Sequence, residues 1–237
     1  MDVETLGPLR ARRIVVQPEK RTNSSLTVVL MHGFGAPGDD LAGLAGVLGA
    51  PPGTTLIFPE ALHDLEDLVG MPVYGDARAW WPIDMRRLEL AMARGEMRDL
   101  TRDEPEGLAE ARAAVVAMLD ELDVMPGRLV LGGFSQGAML ATDVTLRDPR
   151  PLAGLVILSG TLLAEDVWRP LMPARKGLRV FQSHGTSDPI LPYLVAERLR
   201  DALASAGLEV AFQSFDDGHG IPPDVLRGLS SFLAGID

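Results

Sequence analysis

Short apolar runs rich in β-branched residues recur at 13–17, 26–31, 54–58, 128–132, 155–158, 178–182 and 209–215, each stopped by glycine, proline or a polar cluster. Most are continuously apolar rather than alternating, as expected of strands covered on both faces in a parallel sheet. Between them lie segments with helical spacing. The stretch 108–122 repeats Val115, Met118, Leu119 and Leu122 behind an acidic start; 192–206 repeats Leu194, Val195, Leu199 and Leu203; 223–236 repeats Val225, Leu226, Leu229, Phe232 and Leu233. Strands alternating with helices predict an α/β fold: a mostly parallel central sheet flanked by helices on both faces, in one domain over residues 1–237.

Residues 60–104 break the alternation. They hold no strand pattern but carry Trp80, Trp81 and the charged segment 85–100, where Met85, Leu88 and Met92 share one helical stripe. Two readings stand for this excursion. It is either a surface helix pinned by that stripe, or a longer connection that walls a substrate cleft.

Composition narrows the function classes. With 46% hydrophobic and 23% charged residues, 237 residues fill a core without staples. The chain has no cysteine, which excludes disulfides, thiolate metal sites and a cysteine nucleophile. A net charge of -11 repels phosphate backbones and anionic lipid surfaces, so neither nucleic acid nor a membrane is an expected partner. No signal-like apolar core and no run of membrane-spanning length occurs, and the expectation is a soluble, cytoplasmic protein without stable membrane insertion.

The strongest local signal is Gly133-Phe134-Ser135-Gln136-Gly137, which follows an apolar run and opens a helical segment. A serine at a sharp strand-to-helix turn is pushed out above the sheet edge, and the glycines remove side chains that would strike neighbouring backbone. The helix N-terminus behind it offers amides and positive dipole potential to a developing oxyanion. A second amide comes from the early strand running into Met31-His32-Gly33-Phe34-Gly35. The backbone N–H groups of Phe34 and Gln136 are therefore the candidate oxyanion donors, with His32 as a residue that fixes the loop.

A serine nucleophile needs a base and a group that orients it, in the chain order Ser, acid, His. Of the four histidines only His184 and His219 follow Ser135. His184 precedes Asp188, in the turn after a strand, whereas His219 follows it in a glycine-bracketed loop between the last strand and the last helix. Ser135, Asp188 and His219 are the resulting candidate triad. Asp166, Asp216 and Asp217 are alternative acids, none of which follows a strand at a comparable position. Trp80, Trp81 and Leu191 are candidate walls of the substrate pocket.

Met31-His32-Gly33-Phe34-Gly35, Gly133-Phe134-Ser135-Gln136-Gly137, His184-Gly185-Thr186-Ser187-Asp188-Pro189 and Gly218-His219-Gly220 together resemble the phospholipase/carboxylesterase family of α/β-hydrolases. The blocks come in family order and span residues 28–220. The resemblance implies the α/β-hydrolase fold and hydrolysis of carboxylic esters or thioesters without metal or cofactor. It also implies Ser135 as nucleophile, Asp188 as orienter, His219 as base, and Phe34 and Gln136 as oxyanion donors. The chain departs from the pattern at Ala138, where a glycine is common, and at Trp80-Trp81-Pro82-Ile83-Asp84, so acyl specificity and protein depalmitoylation are not carried over.

The expected activity is a serine carboxylesterase acting on short- to medium-chain esters of small molecules. The alternative is an acyl thioesterase or lysophospholipase for longer chains. A non-catalytic binding protein on the same scaffold is the rival of a different class. A homodimer through an apolar rim is compatible with the sequence.

Overall fold

The computed structural model describes residues 2–22, 25–70, 72–73, 75–84, 86, 90 and 100–236. Its centre is an eight-stranded sheet, in spatial order β1 (Asp2–Leu6), β2 (Leu9–Val15), β4 (Thr55–Pro59), β3 (Thr27–Met31), β7 (Leu129–Phe134), β8 (Gly154–Leu158), β9 (Arg179–Gly185) and β10 (Glu209–Phe215). From β4 through β10 all neighbours in this sheet are parallel, while β2 runs antiparallel to β4 and β1 antiparallel to β2. The mostly parallel sheet of the sequence reading is thus present, with an antiparallel hairpin added at one edge.

That hairpin is the part the apolar runs did not show. β1 is largely exposed, and it pairs Leu6 with Leu9 across a Gly7-Pro8 turn in which Gly7 takes φ 55. A first central residue with positive φ followed by proline gives the tight turn that matches strand twist. Strand β2 consequently starts at Leu9 rather than at residue 13.

Among the described residues the helices with defined bounds are α1 (Leu65–Val69), α2 (Leu108–Asp120), α3 (Gln136–Arg147), α4 (Glu165–Leu171), α5 (Tyr193–Ser205) and α6 (Pro223–Ala234). Alternate strand residues serve the two faces. Val29, Met31, Ile57, Leu131 and Ile157 pack with α2, α3, α4 and α5, whereas Val28, Leu30, Leu56, Val130 and Val156 pack with the 3-10 turn Asp40–Leu44 and α6. Burial on both faces is why these strands read as continuous apolar runs.

The excursion at 60–104 holds α1 and a two-stranded ribbon of β5 (His63–Asp64) and β6 (Arg78–Ala79). The expected stripe of Met85, Leu88 and Met92 lies outside the described residues. No described helix is long and apolar enough to cross a membrane.

Helix α3 is enclosed on all sides, and its one charged interior residue is fully matched. Asp143, with no exposed side-chain surface, accepts from Arg112 Nη1 (2.6 Å), Arg147 Nε (3.0 Å) and Trp168 Nε1 (2.9 Å). This ties α2, α3 and α4 together. Removing the acceptor strands a buried indole N–H and two partly buried guanidiniums. Asp143→Ala is therefore expected to lower stability by about 3 kcal/mol, read as a drop in Tm of roughly 6–12 °C. An unchanged melting temperature would show that the triangle of contacts adds nothing net.

Strand order places β4 on one side of β3 and β7 on the other, so the chain reverses its direction of sheet growth between β3 and β7. In open parallel sheets the crevice at such a switch point, beyond the carboxyl ends of the strands, is where ligands bind. The segments that leave β3, β7, β8, β9 and β10 at that edge carry Phe34, Ser135, Ser159, Asp188 and His219.

Candidate active site

Ser135 sits between β7 and α3 with φ 52 and ψ −114, a conformation that L side chains rarely adopt. Strain of this kind costs about 1–3 kcal/mol and persists only where the surroundings enforce it. Here they do. The Ser135 amide donates to the Leu158 carbonyl (2.9 Å), and its own carbonyl accepts from Ala138 and Met139 as α3 begins. A Cβ on Gly137 would fall onto the Met31 and His32 carbonyls, and one on Gly133 onto Met31 and Gly137 backbone. The two glycines let β3, β7 and α3 meet at backbone contact, which leaves the serine at the apex.

The first amides of a helix have no intrahelical acceptor, and Gln136 N–H is the first of α3. Opposite it, the loop after β3 uses its neighbouring amides elsewhere: Gly35 N–H donates to the Arg78 carbonyl and Ala36 N–H to the Gly33 carbonyl. Among the described residues the Phe34 N–H has no backbone acceptor. Gly33 brings the loop close to the serine, since a Cβ there would stand 3.5 Å from Ser135 Cβ.

Buried side chains fix this arrangement. His32 Nε2 accepts from the Ala61 amide (3.1 Å), which puts the ring proton on Nδ1, where it donates to the Gly33 carbonyl (2.8 Å). Burial lowers the His32 pKa and so favours the neutral ring that this pattern requires. Trp80 Nε1 donates to the His32 carbonyl, its amide donates to Gln136 Oε1, and Gln136 Nε2 donates to the Trp81 carbonyl. The Gln136 side chain thereby locks the Trp80–Trp81 segment to the start of α3.

Asp188 is held in the turn after β9 with its carboxylate fully buried. Oδ1 accepts from the Ile190 and Leu191 amides (2.8 and 2.9 Å), and Oδ2 lies 2.7 Å from His219 Nδ1 and 3.2 Å from His184 Nε2. Burial alone would raise its pKa. The hydrogen bonds from His184, His219 and the Leu191 amide, with the charge of His219, outweigh burial and hold the carboxyl well below the usual range. Since Asp188 accepts at His219 Nδ1, the His219 Nε2 lone pair is left free.

The loop carrying His219 is anchored at several points. The buried Ser159 Oγ donates to the Gly220 carbonyl (3.0 Å), Ser187 N–H donates to the Asp217 carbonyl (3.1 Å), and a Cβ on Gly185 would strike Gly218. Phe134 packs its ring 4.9 Å from the His219 ring. Ser135 and His219 make no hydrogen bond to each other in this structure, and Phe134 is the side chain between β7 and the His219 ring. Such bonds are often long before substrate binds.

The structure therefore brings Asp188 to His219, Phe34 to the serine loop, and Gln136 to the head of α3. The three expected pocket walls, Trp80, Trp81 and Leu191, are all buried in the core. Trp80 has no exposed surface and Leu191 is 3% exposed; both belong to the core. Trp80 is enclosed because its indole serves the His32 carbonyl, and Leu191 because its amide and carbonyl serve Asp188 and His184. Trp81 lines a cavity of about 380 Å³, with Ile83, Leu100, Asp103, Glu106, Met139 and Leu163 among its walls. His184 and Ser159 were missed as supporting residues. His184 had a visible signal in its place beside Asp188, whereas nothing in the sequence around Ser159 marks its reach to Gly220.

Comparison with known proteins gives a consistent result. Residues 11–236 match the phospholipase/carboxylesterase family. The chain is 27% identical over 243 residues to a protein of Mycosarcoma maydis named acyl-protein thioesterase 1, covering 95% of this chain and 97% of that one. Among solved structures it is similar to esterase PE8, at a TM-score of 0.78 and 26% identity, covering 97% and 99% of the two chains. A carboxylesterase from Mesorhizobium loti shares the fold at a TM-score of 0.71 and 20% identity, covering 99% and 98%. With the strained Ser135 turn and the Asp188–His219 contact at one sheet edge, and a family match across nearly its whole length, the chain belongs to the phospholipase/carboxylesterase family.

Proposed function

We propose that this chain is a serine esterase that hydrolyses short- to medium-chain carboxylic esters through an acyl-enzyme, with Ser135 as nucleophile, His219 as base and Asp188 as orienter. The observation that carries the reading is the 2.7 Å contact between Asp188 Oδ2 and His219 Nδ1, at the same sheet edge as a serine forced to φ 52.

In this mechanism the His219 Nε2 lone pair takes the hydroxyl proton as Ser135 Oγ bonds to the ester carbonyl carbon. The carbonyl electron pair moves to oxygen and is received by the Phe34 and Gln136 amides. Collapse of that intermediate breaks the bond to the leaving alcohol, which takes the proton from His219. Water then repeats the cycle: His219 removes its proton, the serine ester is cleaved, and the acid leaves with Ser135 restored. Asp188 keeps the ring proton on Nδ1 and stabilises the imidazolium throughout.

The cavity beside Trp81 neighbours the start of α3, although none of Ser135, Phe34, Gln136, Asp188 and His219 lines it. Met139 lies one helical turn beyond Ser135, Trp81 is tied to Gln136, and a volume of about 380 Å³ is at the small end of ligand pockets. A thioester substrate is the second reading, favoured by the name of the Mycosarcoma maydis relative over 95% of this chain. The same groups serve it, with a thiol as leaving group. Hydrolysis of p-nitrophenyl esters from acetate to palmitate, beside acyl-thioesters of matched length, separates the two. We expect the highest kcat/KM on esters of short to medium chain. A maximum at palmitate would replace the short-chain reading by the long-chain alternative, and thioesters preferred at every length would replace the esterase reading by the thioesterase one.

A further inference from the structure

Asp188 meets two imidazoles on one oxygen. We infer that His184 is a positioning residue for the reacting pair: its Nε2, which donates to the Leu191 carbonyl (2.9 Å) and stands 3.2 Å from Asp188 Oδ2, sets the carboxylate so that Oδ2 faces His219 Nδ1. This rests on the proposed roles of Ser135, Asp188 and His219.

The hydrogen-bond pattern assigns the proton. Both neighbours of His184 Nε2 are acceptors, a carbonyl and a carboxylate, so Nε2 carries the hydrogen. Nδ1 is buried without a partner, which suits a lone pair better than an N–H that nothing accepts. The ring has no exposed surface and packs 6.3 Å from the Tyr193 ring, so it is held in place from the α5 side as well.

A purely structural role would not require this contact. The turn is already closed through Oδ1, which takes the Ile190 and Leu191 amides, and through Asp188 N–H to the Gly185 carbonyl. His184 acts on the other oxygen, the one that touches His219. Removing that donor leaves Oδ2 with His219 as its one side-chain donor and makes it a stronger acceptor, which favours the imidazolium form of His219. It also lets the carboxylate turn about its last bond. Among the described residues, the other titratable groups beside this cluster are Tyr193 from α5, packed on His184, and Asp216 and Asp217, exposed in the loop that carries His219. Asp216 accepts from Thr186 Oγ1 and Asp217 from the Gly218 amide.

Two side chains test reach at equal polarity. The amide nitrogen of glutamine extends to the place of imidazole Nε2, whereas that of asparagine stops near Nδ1. The experiment compares pH profiles of kcat and kcat/KM for wild type, His184→Gln, His184→Asn and Ser135→Ala on one p-nitrophenyl ester, with a thermal melt of each. For His184→Asn we expect the acidic limb of kcat/KM to move up by about half to one pH unit, and kcat to fall by about tenfold with KM nearly unchanged. His184→Gln is expected to keep the wild-type limb. A folded His184→Asn protein whose limb coincides with wild type, while Ser135→Ala is inactive, overturns the inference and leaves the triad reading intact. Wild-type turnover by Ser135→Ala overturns the triad reading, and the inference with it. Imidazole ¹⁵N NMR of the unmutated protein gives a readout free of any folding defect: His184 in the Nε2–H form supports the inference, and the Nδ1–H form overturns it.

Discussion

Ser135→Ala is expected to lower kcat on p-nitrophenyl esters by about four to six powers of ten, with KM changed much less. In the proposed mechanism the mutation removes the atom that forms the covalent bond, and no described neighbour replaces it. The His219 Nε2 lone pair would then have only water to activate. The amides of Phe34 and Gln136 remain, so a residual rate above the uncatalysed one is expected, because an oxyanion hole retains part of the acceleration without its nucleophile. The fold should be indifferent. Alanine keeps the left-handed backbone at this position, and the hydrogen bond from the residue 135 amide to the Leu158 carbonyl does not involve the side chain. Activity within tenfold of wild type, with an unchanged melt, rules Ser135 out as nucleophile.

Asp188→Asn is expected to lower kcat by about 10⁴, for a reason the contacts make specific. Oδ1 accepts two backbone amides, from Ile190 and Leu191. An asparagine keeps its oxygen there and so turns its NH₂ toward His219 and His184. Facing a donor, His219 has to accept at Nδ1 and place its proton on Nε2, the tautomer that cannot take a proton from Ser135. His184 meets the same conflict, because its Nε2–H would confront an N–H where it now has a carboxylate. A second consequence follows: the stability loss should be only about 1–3 kcal/mol, far too small to explain the fall in rate. If Asp188→Asn retained a tenth or more of wild-type kcat, His219 would be oriented by something other than Asp188.

The parallel core was legible in the sequence because strands covered on both faces leave uninterrupted apolar runs, as in Val28 to Met31 and Leu155 to Leu158. The same logic explains the misses. β1 lies at an edge with most of its residues exposed, so it leaves no run. Helix α4 has seven residues and an internal Pro170, too few for a helical period to register, although it buries Trp168 completely. At the site, fixed spacing in the chain carried the Ser135 turn and the loop after β3, since glycine at 133 and 137 is dictated by close backbone contact and Gly33 lies against the Phe134 and Ser135 side chains.

What spacing could not carry was the use of side chains across the fold. Trp80 looks like a pocket aromatic in one dimension. In three it is a core residue, because Gln136 and His32, each far away in sequence, supply its partners. His184 lies within a visible motif, yet its role depends on the turn folding back until Leu191 and Asp188 both reach Nε2.

The most direct measurement of the central claim is covalent labelling. The protein is treated with a fluorophosphonate at neutral pH, and the intact mass and the labelled peptide are read by mass spectrometry. We expect a single adduct, on the peptide containing Ser135, which is absent from Ser135→Ala and strongly slowed in Asp188→Asn. A folded protein that takes up no label, or takes it up on another serine, would contradict an activated Ser135.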